Sequence, residues 1–271
     1  MPELPEVETA RRGIEPLLTG RTVTRVVVRN PALRWPVSPE LVQALPGSRF
    51  LAVRRRAKYL LLDSERGTVI LHLGMSGSLR ILPSTVAPRL HDHVDIELGD
   101  GAVLRYTDPR RFGCLLWSQH DALRHPLLRA LGPEPLEAGF DGSYLRAVAR
   151  GRRSAVKALI MDSRVVVGVG NIYASEALFL SGIHPTRSSG HISISRLQRL
   201  AAAIREVLTD AIAAGGTTLR DFTDESGRPG YFANQLRVYG RAGQPCPRCA
   251  HPLRVCRLLH RASYYCVRCQ R

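Results

Sequence analysis

Hydrophobic periodicity shifts from strand-like to helical at the break Leu131-Gly132-Pro133-Glu134-Pro135. Before it, short β-rich runs follow one another: Thr22–Val28, Arg49–Val53, Tyr59–Leu62, Thr68–His72, Val94–Leu98, Val103–Tyr106 and Cys114–Trp117. Turn residues such as Asp100-Gly101 separate them, and so many closely spaced strands predict a sandwich or barrel-like β domain. A helix precedes them. Pro5 suits a first turn, acids follow, Gly20 ends the run, and Val7, Ala10, Ile14 and Leu17/Leu18 share one face. The Pro88–His93 stretch reads as loop. After the break the spacing becomes helical near Ser143–Ala149, Ser154–Met161, Ile172–Leu180 and Ser195–Ala214, with Gly215-Gly216 as the last stop. Thr217–Tyr231 is a polar, Gly-rich loop. The expected class is α+β with two domains, and 271 residues are enough for two cores.

Charge narrows the partner. There are 39 basic and 23 acidic residues, a formal charge of +16, with an ordinary 44% hydrophobic content. A folded chain this basic points to a polyanion, most often nucleic acid. Anionic membrane is the competitor, but no run is long and apolar enough to span a bilayer, and the acidic start is unlike a secretory signal. A cytoplasmic protein is expected, and six cysteines in that setting suggest metal or free thiols before disulfides.

Cys246-Pro247-Arg248-Cys249 and Cys266-Val267-Arg268-Cys269 are two C-x2-C knuckles with 16 residues between them. That spacing predicts a four-cysteine zinc site. A piece this small has almost no core, and structural zinc can supply roughly 10–16 kcal/mol of apparent folding free energy. A redox pair is the weaker alternative. Cys256 and Cys114 are expected to pack as ordinary side chains.

The chain begins MPELPEVE. With Met1 removed, Pro2 carries a free secondary α-amine, and such amines titrate near ~8. Attack on a sugar carbon would give a cationic iminium, the logic of Schiff-base amines. Glu3 stands beside it as a proton donor or acceptor. Read alone, the octapeptide fits an acidic helix start better than a nucleophile.

Several further pieces are decisive in combination: RRRAKYLLL at 54–62, HLGMSGSLR at 72–80, HDHVD at 91–95, YTDPRRFG at 106–113, VVVGVGNIYASEALF at 165–179, GGTTLRDF at 215–222 and PGYF at 229–232. With the start and the finger, they resemble, in order and over essentially the whole chain, bacterial formamidopyrimidine-DNA glycosylases. The resemblance implies an N-terminal β-sandwich with a leading helix, a helix–two-turn–helix module and a four-cysteine zinc finger, divided as 1–131, 132–236 and 237–271. It implies a monomer that flips out and excises 8-oxoguanine and formamidopyrimidines from double-stranded DNA. The abasic strand is then cut by β,δ-elimination. One structural Zn2+ is implied, and association with the bacterial nucleoid.

By the same resemblance Pro2, Glu3, Lys58 and Arg261 form the catalytic set, with Arg261 meeting a phosphate from the finger. Glu6 is a supporting acid or simply a first-turn charge. His91, Arg110, Arg152 and Asn171 contact DNA phosphates, which set register and affinity without reading sequence. A cap is the bland reading of Asn171. Met75, Arg110 and Phe112 form the wedge that fills the hole left by a flipped base. Thr217–Tyr231 is the base-capping loop, Glu176 lies near its pocket or is simply a helix-surface charge, and Tyr173 and Lys157 flank the helical module. Two alternatives remain open: the sister glycosylase for oxidised pyrimidines, and a non-catalytic zinc-finger DNA-binding protein.

Overall fold

The computed structural model describes residues 2–217 and 235–271, which divide into two compact units. Of these residues the first unit takes 2–129 with 215–217, and the second takes 130–214 with 235–271.

In the first unit, helix α1 (Leu4–Leu18) leads. Eight strands follow: β1 (Val23–Val28), β2 (Phe50–Arg56), β3 (Tyr59–Ser64), β4 (Gly67–His72), β5 (Ser78–Pro83), β6 (Asp92–Leu98), β7 (Ala102–Thr107) and β8 (Cys114–Ser118), with the short helix α2 (Pro39–Ala44) after β1. They form two four-stranded antiparallel sheets, ordered β1-β6-β7-β5 and β2-β3-β4-β8. Val26, Ile96 and Leu104 of one sheet join Val53, Leu62 and Leu71 of the other in a single core, which also receives Ile14 and Leu18 of α1. This is a sandwich with a helix against it, because alternate residues of each strand face the partner sheet.

Four details depart from the sequence reading. Strand β5 and helix α2 were not anticipated: Gly77 and Pro83 bracket a short run interrupted by Arg80, and α2 is a six-residue turn between prolines and glycine. Strand β6 begins at Asp92, inside the expected loop, so His93 is a strand residue. Leu17 is 42% exposed, since the buried stripe of α1 runs Val7, Ala10, Ile14, Leu18 and leaves Leu17 on its flank.

The second unit holds α3 (Gly142–Ala149), α4 (Val156–Met161), α5 (Asn171–Leu180) and α6 (Ile194–Ala213). Asp141 caps α3 by accepting the Tyr144 amide at 2.7 Å. Residues Ile172 to Phe179 of α5 are all buried, so this helix is the centre of the unit. A hairpin of β9 (Arg254–Leu258) and β10 (Arg261–Tyr265) follows, turning through Leu259 and His260 in the left-handed region. Its core is small: Phe179, Val238, Cys246, Leu253 and Cys266. Among the described residues no helix is long and apolar enough to cross a membrane.

Candidate active site and metal centre

The start of the chain is held firmly. Pro2 and Glu3 are buried, and Glu3 precedes the first turn of α1. The Glu3 amide donates to Glu6 Oε2 at 2.8 Å. The other oxygen of Glu6 accepts the Thr217 amide at 2.8 Å. Glu6 is therefore a buried brace with both oxygens engaged, not a solvated first-turn charge. Gly216 lies against it in the left-handed region, where a Cβ would fall 3.2 Å from Glu6 Oε1. The expected capping loop lies outside the described residues beyond Thr217.

Lys58 sits in the β2–β3 turn, after Ala57 at φ 55°. Its charge reaches His72, which faces the next strand position across the Tyr59–His72 pair. Burial depresses the His72 imidazole, the Lys58 and Arg34 charges add to that, and Asp108 opposes it; the net is a pKa of about 4. Neutral His72 accepts the Gly74 amide at Nδ1, 2.9 Å away.

Gly74 opens the turn that carries Met75, between β4 and β5. The segment between β7 and β8 carries Arg110 and Phe112. Met75 is half-buried, while Arg110 and Phe112 are exposed, with the Arg110 guanidinium 4.9 Å from the Phe112 ring centre. An exposed aromatic ring under a cation is unusual for a core residue, and periodicity alone would have buried it. Beside it a concavity of about 450 Å³ is lined by Ala32, Leu33, Arg34, Arg110, Arg111 and Phe112. His91 is exposed just before β6.

In the second unit Asn171 is the first residue of α5, and its side chain is not a cap. Its Oδ1 accepts Lys157 Nζ at 2.8 Å, and its amide nitrogen donates to the Tyr239 hydroxyl at 3.4 Å. Lys157 is fully buried and also donates to Ser175 Oγ at 3.1 Å, the Ala262 carbonyl at 3.1 Å and Ser263 Oγ at 2.8 Å. One ammonium thus ties α4, α5 and β10 together. Arg261 is exposed at the start of β10 beside that tie, and Arg152 is exposed after α3. Glu176 is not a helix-surface charge. It is wholly buried and accepts the amides of Arg237, Val238 and Tyr239 at 2.9, 2.9 and 2.8 Å. A carboxylate with three backbone donors is an anchor for that segment.

The four knuckle cysteines converge, with all Sγ atoms within 4.8 Å of one another. Cys246 and Cys269 are 3.8 Å apart, and Cys249 and Cys266 3.5 Å. A tetrahedron of thiolates at ~2.3 Å from one ion has edges of about 3.8 Å, so the set fits a four-coordinate soft metal. Cys114 is buried, with its thiol pushed up to about 12 by burial, and Cys256 is half-buried; neither joins the cluster.

Sequence reasoning missed Asp108, Ser76 and the depth of Lys157. A carboxylate before proline reads as a turn, and a lysine in a basic chain reads as surface.

Comparison with known proteins agrees with this architecture. The profile of the formamidopyrimidine-DNA glycosylase N-terminal domain matches residues 1–115, and that of its H2TH domain matches 131–223. Formamidopyrimidine-DNA glycosylases of Alkalilimnicola ehrlichii and Methylococcus capsulatus are each 60% identical, covering all of both chains. The crystal structure of MutM (FPG) from Thermus thermophilus superposes with TM-score 0.89 at 38% identity, over 99% of this chain and 98% of that one. Lactococcus lactis Fpg in complex with abasic-site DNA gives 0.91 at 30%, over 99% of each. The chain belongs to the formamidopyrimidine-DNA glycosylase family.

Proposed function

We propose that this protein is a bifunctional DNA glycosylase and abasic-site lyase of base excision repair, acting as a monomer on duplex DNA that holds oxidised purines. The observation that carries the reading is the buried, braced Pro2-Glu3 start, in a chain aligned end to end with named relatives. Relatives crystallised with abasic-site DNA and with DNA containing a benzylated Fapy-dG supply the substrate class.

A base inside the stack is out of reach, so it is extruded first. Met75, Arg110 and Phe112 enter the gap, while His91, Arg110, Arg152, Asn171 and Arg261 hold phosphates. Once Met1 is removed, the Pro2 nitrogen attacks the anomeric carbon and the base departs. Glu3 exchanges protons with the opening sugar, and the resulting iminium acidifies the adjacent position for β- and then δ-elimination. Lys58 holds a phosphate nearby, and its charge favours the neutral, nucleophilic amine. Cys246, Cys249, Cys266 and Cys269 hold one Zn2+ whose role is to fold the hairpin that presents Arg261. Functionally the chain divides into a catalytic part to residue 131, a helical DNA-binding part to 236 and a finger from 237. Its place of work is the bacterial cytoplasm, at the nucleoid.

Borohydride trapping tests this, with Met1 removal checked by mass spectrometry and Pro2→Gly as control. The expected result is a covalent adduct on duplex with 8-oxoguanine opposite cytosine. Preference for thymine glycol would assign the pyrimidine branch instead. No adduct on either duplex would leave a DNA-binding protein.

A further inference from the structure

The two wedge-bearing loops come from different parts of the sandwich. The Met75 turn joins β4 of one sheet to β5 of the other, and the Arg110–Phe112 segment joins β7 to β8 across the same gap. Nothing local in the sequence fixes one loop against the other. Between them lies the Asp108 carboxylate, with no solvent exposure. Its Oδ1 accepts the Ser76 hydroxyl at 3.0 Å. Its Oδ2 accepts the Gly113 amide at 2.9 Å and the Tyr106 hydroxyl at 3.1 Å. Ser76 Oγ in turn accepts the Arg110 amide at 3.3 Å. The Asp108 carbonyl accepts from His93 Nε2 at 2.8 Å, and its amide donates to the His91 carbonyl at 3.0 Å.

The backbones also meet directly. A Cβ at Gly74 would lie 2.5 Å from the Gly113 nitrogen, and one at Gly113 would lie 1.8 Å from the Tyr106 hydroxyl and 2.3 Å from the His72 carbonyl. We infer that Asp108 is a positioning residue that locks both loops into one rigid wedge. Burying a carboxylate costs several kcal/mol unless its lone pairs are filled by well-placed donors. Here the donors are two hydroxyls and an amide from the two loops and their flanking strand. An apolar joint could hold the loops together, but it could not set the directions of both at once.

The consequence is mechanical. Side chains driven into a base step work against an unstacking cost of a few kcal/mol. Side chains on independent loops would be deflected, whereas one braced block would not. The inference rests on the wedge role proposed above. It goes beyond it in assigning the brace, which touches neither base nor sugar.

The test compares Asp108→Asn and Ser76→Ala with Phe112→Ala. Single-turnover excision of 8-oxoguanine from duplex, scission of a preformed abasic site, and 2-aminopurine fluorescence beside the lesion are read together. Asp108→Asn is expected to slow duplex excision by about tenfold or more, and Ser76→Ala by about threefold. Both should lose amplitude in the fluorescence step, and duplex excision should suffer more than abasic-site scission, by at least about fivefold in Asp108→Asn and by about threefold in Ser76→Ala. Equal losses on both substrates, or excision within about twofold of wild type while Phe112→Ala loses it, would overturn the brace. If Phe112→Ala itself changes neither excision nor fluorescence, the wedge reading fails first and the brace with it. Should Asp108→Asn not fold, Ser76→Ala decides, because it removes one arm only.

Discussion

Acid should weaken this fold through one imidazole. Folded His72 has a pKa of about 4, against 6.5 for the ordinary side chain. Below about pH 6.5 the unfolded chain takes a proton there that the folded protein refuses, so stability falls as pH drops toward 4. The full gap of two and a half pKa units corresponds to roughly 3 kcal/mol, and the part between about pH 7.5 and about pH 5 comes to about 2 kcal/mol. The ring has little room to escape: it packs on Tyr59 at 4.8 Å between centroids, and its Nδ1 is committed to Gly74. His72→Asn supplies the comparison, since an amide oxygen can take over the Gly74 hydrogen bond and does not titrate in this range. Urea unfolding of both proteins at the two pH values gives the assay. Wild type should lose about 2 kcal/mol more than the variant, because carboxylates and other histidines contribute equally to both. Equal losses, to within about 0.5 kcal/mol, would mean that His72 accepts its proton in the folded state and that the burial argument is wrong.

Two further outcomes follow from the second unit. Lys157→Met should destabilise by about 3 kcal/mol, since it leaves four acceptors without their common charged donor. Urea unfolding checks this, and a loss under about 1 kcal/mol would show that the acceptors find other partners. Stripping the metal proposed for the four cysteines, with a strong chelator, should free the β9–β10 hairpin to exchange its amides rapidly, as read by hydrogen exchange. Cobalt substitution should then give intense thiolate-to-metal absorption, and its absence would refute a four-thiolate site.

Much of the architecture was legible because it rests on patterns of short range. Strand alternation, the Gly215-Gly216 stop and the knuckle spacing each announce their element within a few residues. The cysteines converge as the spacing requires. What escaped notice depends on burial over long separations. Glu176 looks like a helix-surface acid until its three amide partners, about sixty residues away, are known. Lys157 looks like one basic residue among many, yet two of its acceptors lie more than a hundred residues on. Asp108 reads as the usual residue before proline, and nothing in YTDPRRFG says that its side chain points inward. Strand β5 was hidden for a simpler reason: its partner is β7, and its own six residues carry too little alternation to stand out.

The hydrogen bond from Thr217 to Glu6 closes a gap of 211 residues. Ribosomes add about 5–20 residues per second, so Glu6 waits on the order of 10–40 s for that partner. During synthesis the strands of the sandwich, all complete by Ser118, can assemble while the chain's first turn still lacks one of its two restraints. The amino end, made first, is therefore among the last parts to reach its final geometry, and a truncated product ending before residue 217 would carry the proposed nucleophile with only one of the two hydrogen bonds that hold Glu6.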